Sequence, residues 1–123
     1  MSANHATLRA LVKAFNDHDL DRIMTFFTDD AVLEMPRGAD AWGSRFVGAA
    51  AVREALRGRL AGLPDVHYGD DSHYTDGDMG ISQWTLTGTP ASGQPIKVRG
   101  CDFYTFRDGK VIKKDSFWKI VEK

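Results

Sequence analysis

The feature that most limits the fold of this chain is a pair of Asp-Gly dipeptides, each lying between two runs of strand-like composition. Asp76-Gly77 separates residues 66–75 from residues 79–89, and Asp108-Gly109 separates residues 95–106 from residues 110–121. Asp-Gly between such runs is a strong β-hairpin signal, because the turn that suits the twist of two strands needs positive φ at its central residues. The second half of the chain is therefore predicted to be a meander of antiparallel strands.

The first half of the chain is predicted to be mostly helical. Apolar residues at helical spacing indicate three helices, over residues 3–16, over a short segment capped by Asp19, and over residues 49–61. A strand over residues 31–36 and a Gly-containing loop over residues 37–48 separate the second helix from the third. This order indicates an α+β fold, in which a curved sheet wraps around the helices and leaves a cavity between the two layers. A length of 123 residues predicts that residues 1–123 form a single domain.

Charge and cysteine content limit the possible partners and the cellular compartment. The chain has 16 basic and 17 acidic residues for a net charge of −1, whereas nucleic acids and anionic membranes need a basic surface. The single cysteine, Cys101, cannot form an internal disulfide and is typical of a reducing compartment. The N-terminus has no apolar stretch of signal-peptide length, and no window approaches the ~20 apolar residues of a membrane helix. We therefore expect a cytoplasmic protein that binds neither nucleic acid nor membrane.

Asp102 is the most informative polar residue, because it lies within a strand and on its more apolar face. The alternation of residues 95–106 places its side chain with the branched and aromatic ones. The length of the turn at Asp108-Gly109 decides which residue of the next strand lies opposite. A two-residue turn pairs Asp102 with Asp115, whereas a three-residue turn pairs it with Lys114. We favour the second register, because only it puts the apolar faces of both strands on the same side of the sheet.

The two registers imply different chemistry. Two adjacent carboxylates raise the pKa of one of them strongly, which suits acid–base catalysis. A carboxylate beside a lysine forms an ion pair that can be purely structural. In the favoured register Asp102 lies near Lys114 and Ser116, and Trp118 lies one step further along the strand. The residues themselves leave a catalytic group and a structural ion pair as open alternatives.

Four segments of the chain resemble the NTF2-like superfamily, in particular its SnoaL-like and ketosteroid-isomerase-like branches. They are FNDHDLDRIMTFFTDDAVLEMP, FVGAAAVREAL, WTLTGT and DFYTFRDGKVIKKDSFW, and together they cover nearly the whole chain. The resemblance implies a cone-shaped, cystatin-like α+β fold with three N-terminal helices packed on a curved antiparallel sheet. It also implies a homodimer formed through the outer face of the sheet.

Compared with the ketosteroid isomerases, this chain keeps one group of the catalytic machinery and lacks two. The aspartate that serves as their base falls on Met35, and the tyrosine of their oxyanion hole falls on Leu11. Asp102 matches their other aspartate, which donates a hydrogen bond to the oxyanion. Because Met cannot abstract a proton and Leu cannot donate a hydrogen bond, the steroid-isomerase mechanism is not expected. Limonene epoxide hydrolases, on a similar fold, carry an aspartate near Asp115, but the matching place here holds Ser116.

The SnoaL-like polyketide cyclases are the closer likeness. They use no cofactor, and an aspartate in their pocket acts as general acid and base, a role that falls to Asp102 here. The resemblance implies a small hydrophobic, carbonyl-bearing ligand, with Lys114 and Ser116 tuning the aspartate or holding an oxygen. The remaining residues expected around the ligand are Trp118, Trp84, Met35, Tyr104, Leu11 and Phe15, with Trp42 and Phe46 as lid residues. The alternative is a non-catalytic ligand-binding or dimerisation module, which the loss of two isomerase groups favours.

Two histidines and the cysteine are weaker candidates. His67 and His73 lie in an acidic stretch, but the strand between them separates them by ~20 Å, which is too far for one metal ion. His73 is expected to be a surface residue near a turn, with a base that lines the cavity as the alternative. Cys101 lies on the face opposite Asp102 and is predicted to be a packing residue rather than a nucleophile. No metal site is expected.

Overall fold

The structure is a computed structural model that describes residues 4–122. Its helices are α1 (His5–Asn16), α2 (Leu20–Thr25) and α3 (Ala49–Gly62). Its strands are β1 (Phe27–Glu34), β2 (Arg45–Val47), β3 (His67–Asp76), β4 (Met79–Gly88), β5 (Ile96–Arg107) and β6 (Lys110–Trp118). None of the helices in this described range is long and apolar enough to cross a membrane.

Within residues 4–122 the strands form one curved six-stranded sheet in the order β2-β1-β6-β5-β4-β3. The α+β prediction is confirmed, and β3 to β6 form the predicted antiparallel meander. Two details are wrong: α3 follows β1 and β2 instead of lying N-terminal to the sheet, and β1 pairs with β6 in parallel. The parallel pair is possible because α3 and four further strands separate β1 from β6 along the chain, so no tight hairpin has to join them.

The first strands differ from the predicted boundaries. β1 spans Phe27–Glu34, whereas the sequence predicts this strand over residues 31–36. Phe27 pairs with Val111 of β6, so pairing within the sheet extends β1 through polar residues. The short β2 lies in the predicted loop and pairs with the end of β1. The predicted start of α1 at residue 3 lies outside the described residues.

α1 covers the inner face of the sheet, which is the face that packs against the helices. Asn4 caps this helix, since its side-chain oxygen accepts a hydrogen bond from the backbone N–H of Thr7 at 2.8 Å. Asn16 fixes the other end on β3: its side chain accepts from the N–H of Tyr68 at 2.8 Å and donates to the carbonyl of Tyr68 at 3.0 Å. The buried stripe of α1 therefore closes over β3 and β4; its members are Leu8, Leu11, Val12, Ala14 and Phe15.

The hairpin of β5 and β6 settles the register of Asp102. Asp108 and Gly109 have φ of 54° and 81° and form a two-residue turn, but the register shifts by one residue between Thr105 and Phe106. Asp102 consequently lies opposite Ser116, so both predicted partners are wrong. The prediction that Asp102, Lys114 and Ser116 lie on the same face is nevertheless right. A two-residue turn alone would put the apolar face of β6 on the wrong side of the sheet, and the one-residue shift turns it back to the right side.

Candidate functional site

Asp102 lies in the middle of β5 on the inner face and is only 4% exposed. Its neighbours across the sheet are two serines, Ser82 on β4 and Ser116 on β6. Both serines are buried, as is Lys114, which is two residues from Ser116 on the same face of β6. Four polar side chains thus interrupt an otherwise apolar core at the centre of the sheet.

The carboxylate of Asp102 accepts four hydrogen bonds. Its Oδ1 accepts from Nζ of Lys114 at 3.0 Å and from the Ser116 hydroxyl at 2.5 Å. Its Oδ2 accepts from the indole nitrogen of Trp84 at 3.0 Å and from the hydroxyl of Tyr104 at 3.4 Å. Lys114 also donates to the Ser116 oxygen at 2.7 Å, so that the side chains of Asp102, Lys114 and Ser116 are all hydrogen-bonded to one another. Asp102 and Lys114 therefore form an ion pair, although Ser116 and not Lys114 lies directly opposite Asp102 in the sheet.

Aromatic rings surround this cluster. The ring of Tyr68 packs edge-on against Trp84, with centroids 5.0 Å apart, and against Phe15, with centroids 5.7 Å apart. Nζ of Lys114 lies 5.4 Å from the centre of the Phe15 ring. The cavity left beside Asp102 measures only about 10 Å³, and it has room for about one water molecule.

The phenol groups beside Asp102 are held in their neutral form. Burial raises the pKa of Tyr68 to about 12, where the Arg59 guanidinium acts against the shift and the Asp102 carboxylate adds to it. Burial, followed by the charge of Asp102, also raises the pKa of Tyr104 well above its usual range. Both tyrosines are therefore hydrogen-bond donors at neutral pH and not bases.

A larger cavity of about 470 Å³ lies where β5 begins and β6 ends, and we call it the mouth cavity. It is lined by Pro36, Arg37, Pro95, Ile96, Lys97, Val98, Trp118, Lys119, Ile120 and Val121. Trp84, Gly100 and Trp118 form the row across the sheet next to the row of Asp102. Gly100 allows the Trp84 ring to approach the strand, because a Cβ there would lie 2.7 Å from that ring. The large ring of Trp84 thus lies beside the carboxylate and on the side toward the mouth cavity.

The structure does not bring all the expected site residues to Asp102. Trp84, Tyr104, Phe15, Lys114 and Ser116 surround it, and Trp118 lines the mouth cavity. Leu11 is fully buried in the core, and Phe46 packs against the core from β2. Met35 and Trp42 line a third cavity of about 330 Å³ together with Glu34 and Asp115. Trp42 is 44% exposed, and Arg45 stacks on its ring at 4.2 Å.

The two histidines lie on opposite faces of β3, because the strand carries an irregularity between Gly69 and Ser72. His67 pairs with Thr87 of β4, and His73 pairs with the inward-facing Ser82. The His73 ring is 6% exposed and bonds the Ser82 hydroxyl at 2.9 Å and Asp71 at 2.7 Å, so the expectation of a surface residue is wrong. Within the described chain, no group of three or more His, Cys, Asp or Glu side chains converges as a metal site.

Sequence reasoning missed two residues of the site, Tyr68 and Arg59. Tyr68 is the one buried residue of β3, whose other residues are exposed or half-buried, and its alternation with Val66 was the available signal. Helical spacing predicts that Arg59 faces outward from α3, but its guanidinium stacks on Trp118 at 4.6 Å. Helical periodicity could not reveal this contact, since a long arginine side chain can reach around the edge of a helix.

Comparison with known proteins places this geometry in a family. The model of the SnoaL-like domain matches residues 8–114. No curated protein matches the chain in sequence.

Solved structures share the fold at low sequence identity. A Xanthomonas campestris protein proposed to be a polyketide cyclase has 20% identity and a TM-score of 0.82, over 93% of this chain and 88% of that one. TerC, co-crystallised with polyporic acid, has 21% identity and a TM-score of 0.79, over 93% and 89%. An NTF2-like protein of unknown function from Burkholderia pseudomallei has 18% identity and a TM-score of 0.81, over 97% and 92%. With the family match over most of its length, the chain belongs to the SnoaL-like domain family.

Proposed function

We propose that this protein binds a small, hydrophobic, carbonyl-bearing molecule at the inner face of the sheet, where Asp102 acts on it as general acid and base without a cofactor. The observation that carries the proposal is the buried cluster of Asp102, Lys114 and Ser116 between aromatic walls. Two of the structural neighbours support the ligand class, namely the one proposed to be a polyketide cyclase and the one crystallised with polyporic acid.

Energetics favour a chemical role for the cluster. Removing two charges from water costs several kcal/mol per ion, and well-packed neutral or apolar groups often hold a core at least as well. The Asp102–Lys114 pair is 6% and 8% exposed at its side chains, so it bears this cost almost fully. A cluster that adds little to folding is better explained by what it does to a ligand.

The proposed step is a proton transfer next to a carbonyl group. The Asp102 carboxylate takes a proton from the carbon beside the carbonyl, the electron pair of the broken C–H bond moves toward that carbonyl, and negative charge develops on its oxygen. Lys114 and Ser116 donate hydrogen bonds to this oxygen. The proton then goes to another carbon in an isomerisation, to the alkoxide formed when the enolate attacks a second carbonyl in an aldol cyclisation, or to a leaving hydroxyl in a dehydration. The chemistry fits an isomerisation, an aldol cyclisation or a dehydration.

The ligand needs a path to the carboxylate, because only about 10 Å³ is open beside it. In this proposal the ligand first occupies the mouth cavity, and the indole of Trp84 then moves aside. That movement breaks the 3.0 Å hydrogen bond from Trp84 to Oδ2 and exposes the oxygen that Lys114 does not hold. The oxygen released in this way is the one that would accept the proton.

Deuterium exchange tests the proposal. With 2-tetralone in D₂O, the protein is expected to speed the incorporation of deuterium beside the carbonyl, measured by ¹H NMR. Asp102→Asn should lower this rate by ~10²–10⁴-fold, the usual contribution of a general acid or base. Asp115→Asn is the matched control, since Asp115 lies on the opposite face of β6, and it should keep the rate. Equal rates for wild type and Asp102→Asn would overturn the catalytic role.

A non-catalytic ligand-binding module is the second candidate, and one observation favours it. The Asp102 carboxylate already accepts hydrogen bonds from four protein donors, and almost no open space remains beside it. Both features are typical of a structural ion pair. This candidate predicts ligand binding without exchange of the protons beside the carbonyl.

We also propose that the chain forms a homodimer through the outer face of the sheet. Phe103 and Phe117 form an edge-on pair there, with centroids 5.6 Å apart, and are 38% and 51% exposed. Met79 is exposed beside them and lines the same shallow cavity. Neighbouring exposed apolar side chains of this kind are typical of a protein–protein contact.

A further inference from the structure

The mouth cavity combines apolar walls with one sign of charge. Its apolar lining includes Ile96, Val98 and Trp118. Three of the described residues that line it are basic, namely Arg37, Lys97 and Lys119, and none of them is acidic. A cavity of this kind favours a ligand that is hydrophobic over most of its surface and negatively charged at one point.

Arg59 lies behind Trp118, which lines this cavity, and adds a further cation near it. Its guanidinium lies over the ring of Trp118 at 4.6 Å, and its charge reaches the hydroxyl of Tyr68 beside Asp102. Arg59 is half-buried, yet no carboxylate of the described residues lies within ion-pair distance of it.

Two other arginines of α3, both exposed, differ from it. Arg53 bonds the carboxylate of Asp21, and Arg57 bonds that of Glu54 at 2.5 Å. A guanidinium has five N–H donors in a plane, and stacking on an aromatic ring satisfies none of them. The interaction of Arg59 with the Tyr68 hydroxyl leaves most of these donors unused, so Arg59 can still bind an acidic group that enters the mouth cavity.

We propose that the ligand of the mouth cavity is a flat aromatic molecule that carries a carboxylate or an equally acidic group. The aromatic part packs against Trp118 and the branched residues of β5, and the acidic group binds Arg59, with Arg37 and Lys119 at the rim. This inference rests on the proposed function, since it adds that the carbonyl-bearing ligand is negatively charged. Arg59 would be the residue that selects anionic ligands over neutral ones of the same shape.

The test compares two compounds of nearly equal shape, 2-naphthoate and the neutral 2-acetylnaphthalene, by isothermal titration calorimetry. Wild-type protein is expected to bind 2-naphthoate at least ~10-fold more tightly, the effect of a charge-assisted hydrogen bond. The difference should shrink as salt is raised, because salt screens the exposed part of the site.

Arg59→Met removes the charge and keeps much of the length of the side chain. It should abolish the preference for 2-naphthoate and leave the affinity for 2-acetylnaphthalene within ~3-fold. Arg57→Met is the matched control on the same helix, because its partner Glu54 lies on the surface, and it should keep the preference. The comparison of the two compounds on the wild type needs no variant, so it stands even if Arg59→Met does not fold.

The outcomes separate this inference from the proposed function. Equal affinity for the two compounds would overturn the charge preference while leaving a hydrophobic ligand site intact. A preference that survives Arg59→Met would overturn the role of Arg59. Failure of both compounds to bind would overturn this inference, and deuterium exchange into 2-tetralone would still decide the proposed function separately.

Discussion

At the scale of single residues, Asp102 and Lys114 show what a sequence reveals of a buried polar cluster. Strand alternation placed both side chains on the inner face, together with Ser116, and the structure agrees. It could not reveal that Trp84 donates to the same carboxylate, because that contact joins two strands whose relative register no local pattern specifies. Strand alternation also could not reveal how little space remains beside Asp102, since that space depends on the packing of all the surrounding side chains together.

Removing one member of the ion pair should be costly. Lys114→Met is expected to lower the free energy of unfolding by about 3–5 kcal/mol, because it leaves the Asp102 carboxylate buried without a counter-charge. Urea denaturation at pH 7 measures this loss. Lys110→Met, at the exposed start of the same strand, is the control and should change the free energy of unfolding by less than about 0.5 kcal/mol. A small loss for Lys114→Met would mean that water reaches the carboxylate.

At the scale of elements, Glu34 ties the end of β1 to its neighbours. It is 3% exposed, and its carboxylate lies 2.6 Å from Arg45 of β2 and 3.3 Å from Lys113 of β6. Burial acts to raise the pKa of Glu34, but the hydrogen bonds and charges of Arg45 and Lys113 outweigh it and hold the pKa below the usual 4.5.

This pKa predicts how stability depends on pH. A carboxyl group whose pKa is lowered by folding stabilises the protein above its unfolded pKa, and the contribution is lost as the pH falls through the folded pKa. Glu34→Gln should therefore cost about 1–3 kcal/mol at pH 7, and the difference from wild type should shrink below pH 4.5. Urea titrations between pH 3 and pH 7 measure the trend. A difference that stays constant with pH would contradict the ion-pair explanation.

The elements that the sequence predicted well are those with strong local signals. The two hairpins and α1 follow from Asp-Gly turns and helical spacing, and their bounds agree within about three residues. The irregularities in β3 and β6, the short β2 and the parallel β1–β6 pair have no such local signal. Each arises from contacts between distant segments, as when Phe27 pairs with Val111 and prolongs β1. The irregularity in β3 explains why His73 was wrongly predicted to lie on the surface. The irregularity in β6 explains why the residue opposite Asp102 was wrongly predicted.

At the scale of the whole molecule, the two faces of the sheet have different roles in this account. The inner face holds the cluster and the mouth cavity, whereas the outer face carries exposed aromatic residues. The homodimer proposed for the outer face predicts that light scattering gives twice the mass of the monomer.

Phe117→Ser should shift the protein toward the monomer, because it removes half of the exposed aromatic pair. Val47→Ser is the control, since Val47 is 66% exposed on the edge strand β2, away from that pair. Sedimentation velocity over a range of concentrations measures both variants. A monomeric wild type at all concentrations would contradict the dimer.

The central claim is that the buried cluster of Asp102 and Lys114 exists for chemistry and not for folding. The most direct measurement is the free energy of unfolding of the double variant Asp102→Asn with Lys114→Met, compared with both single variants. The double variant removes both charges and keeps one amide oxygen, which can accept from Trp84 and Tyr104, while the amide NH2 group can donate to the hydroxyl oxygen of Ser116. We predict a stability within about 1 kcal/mol of wild type, because neutral groups can replace a buried ion pair without loss. A double variant at least as unstable as Lys114→Met alone would contradict the claim and make the ion pair a structural element of a binding module.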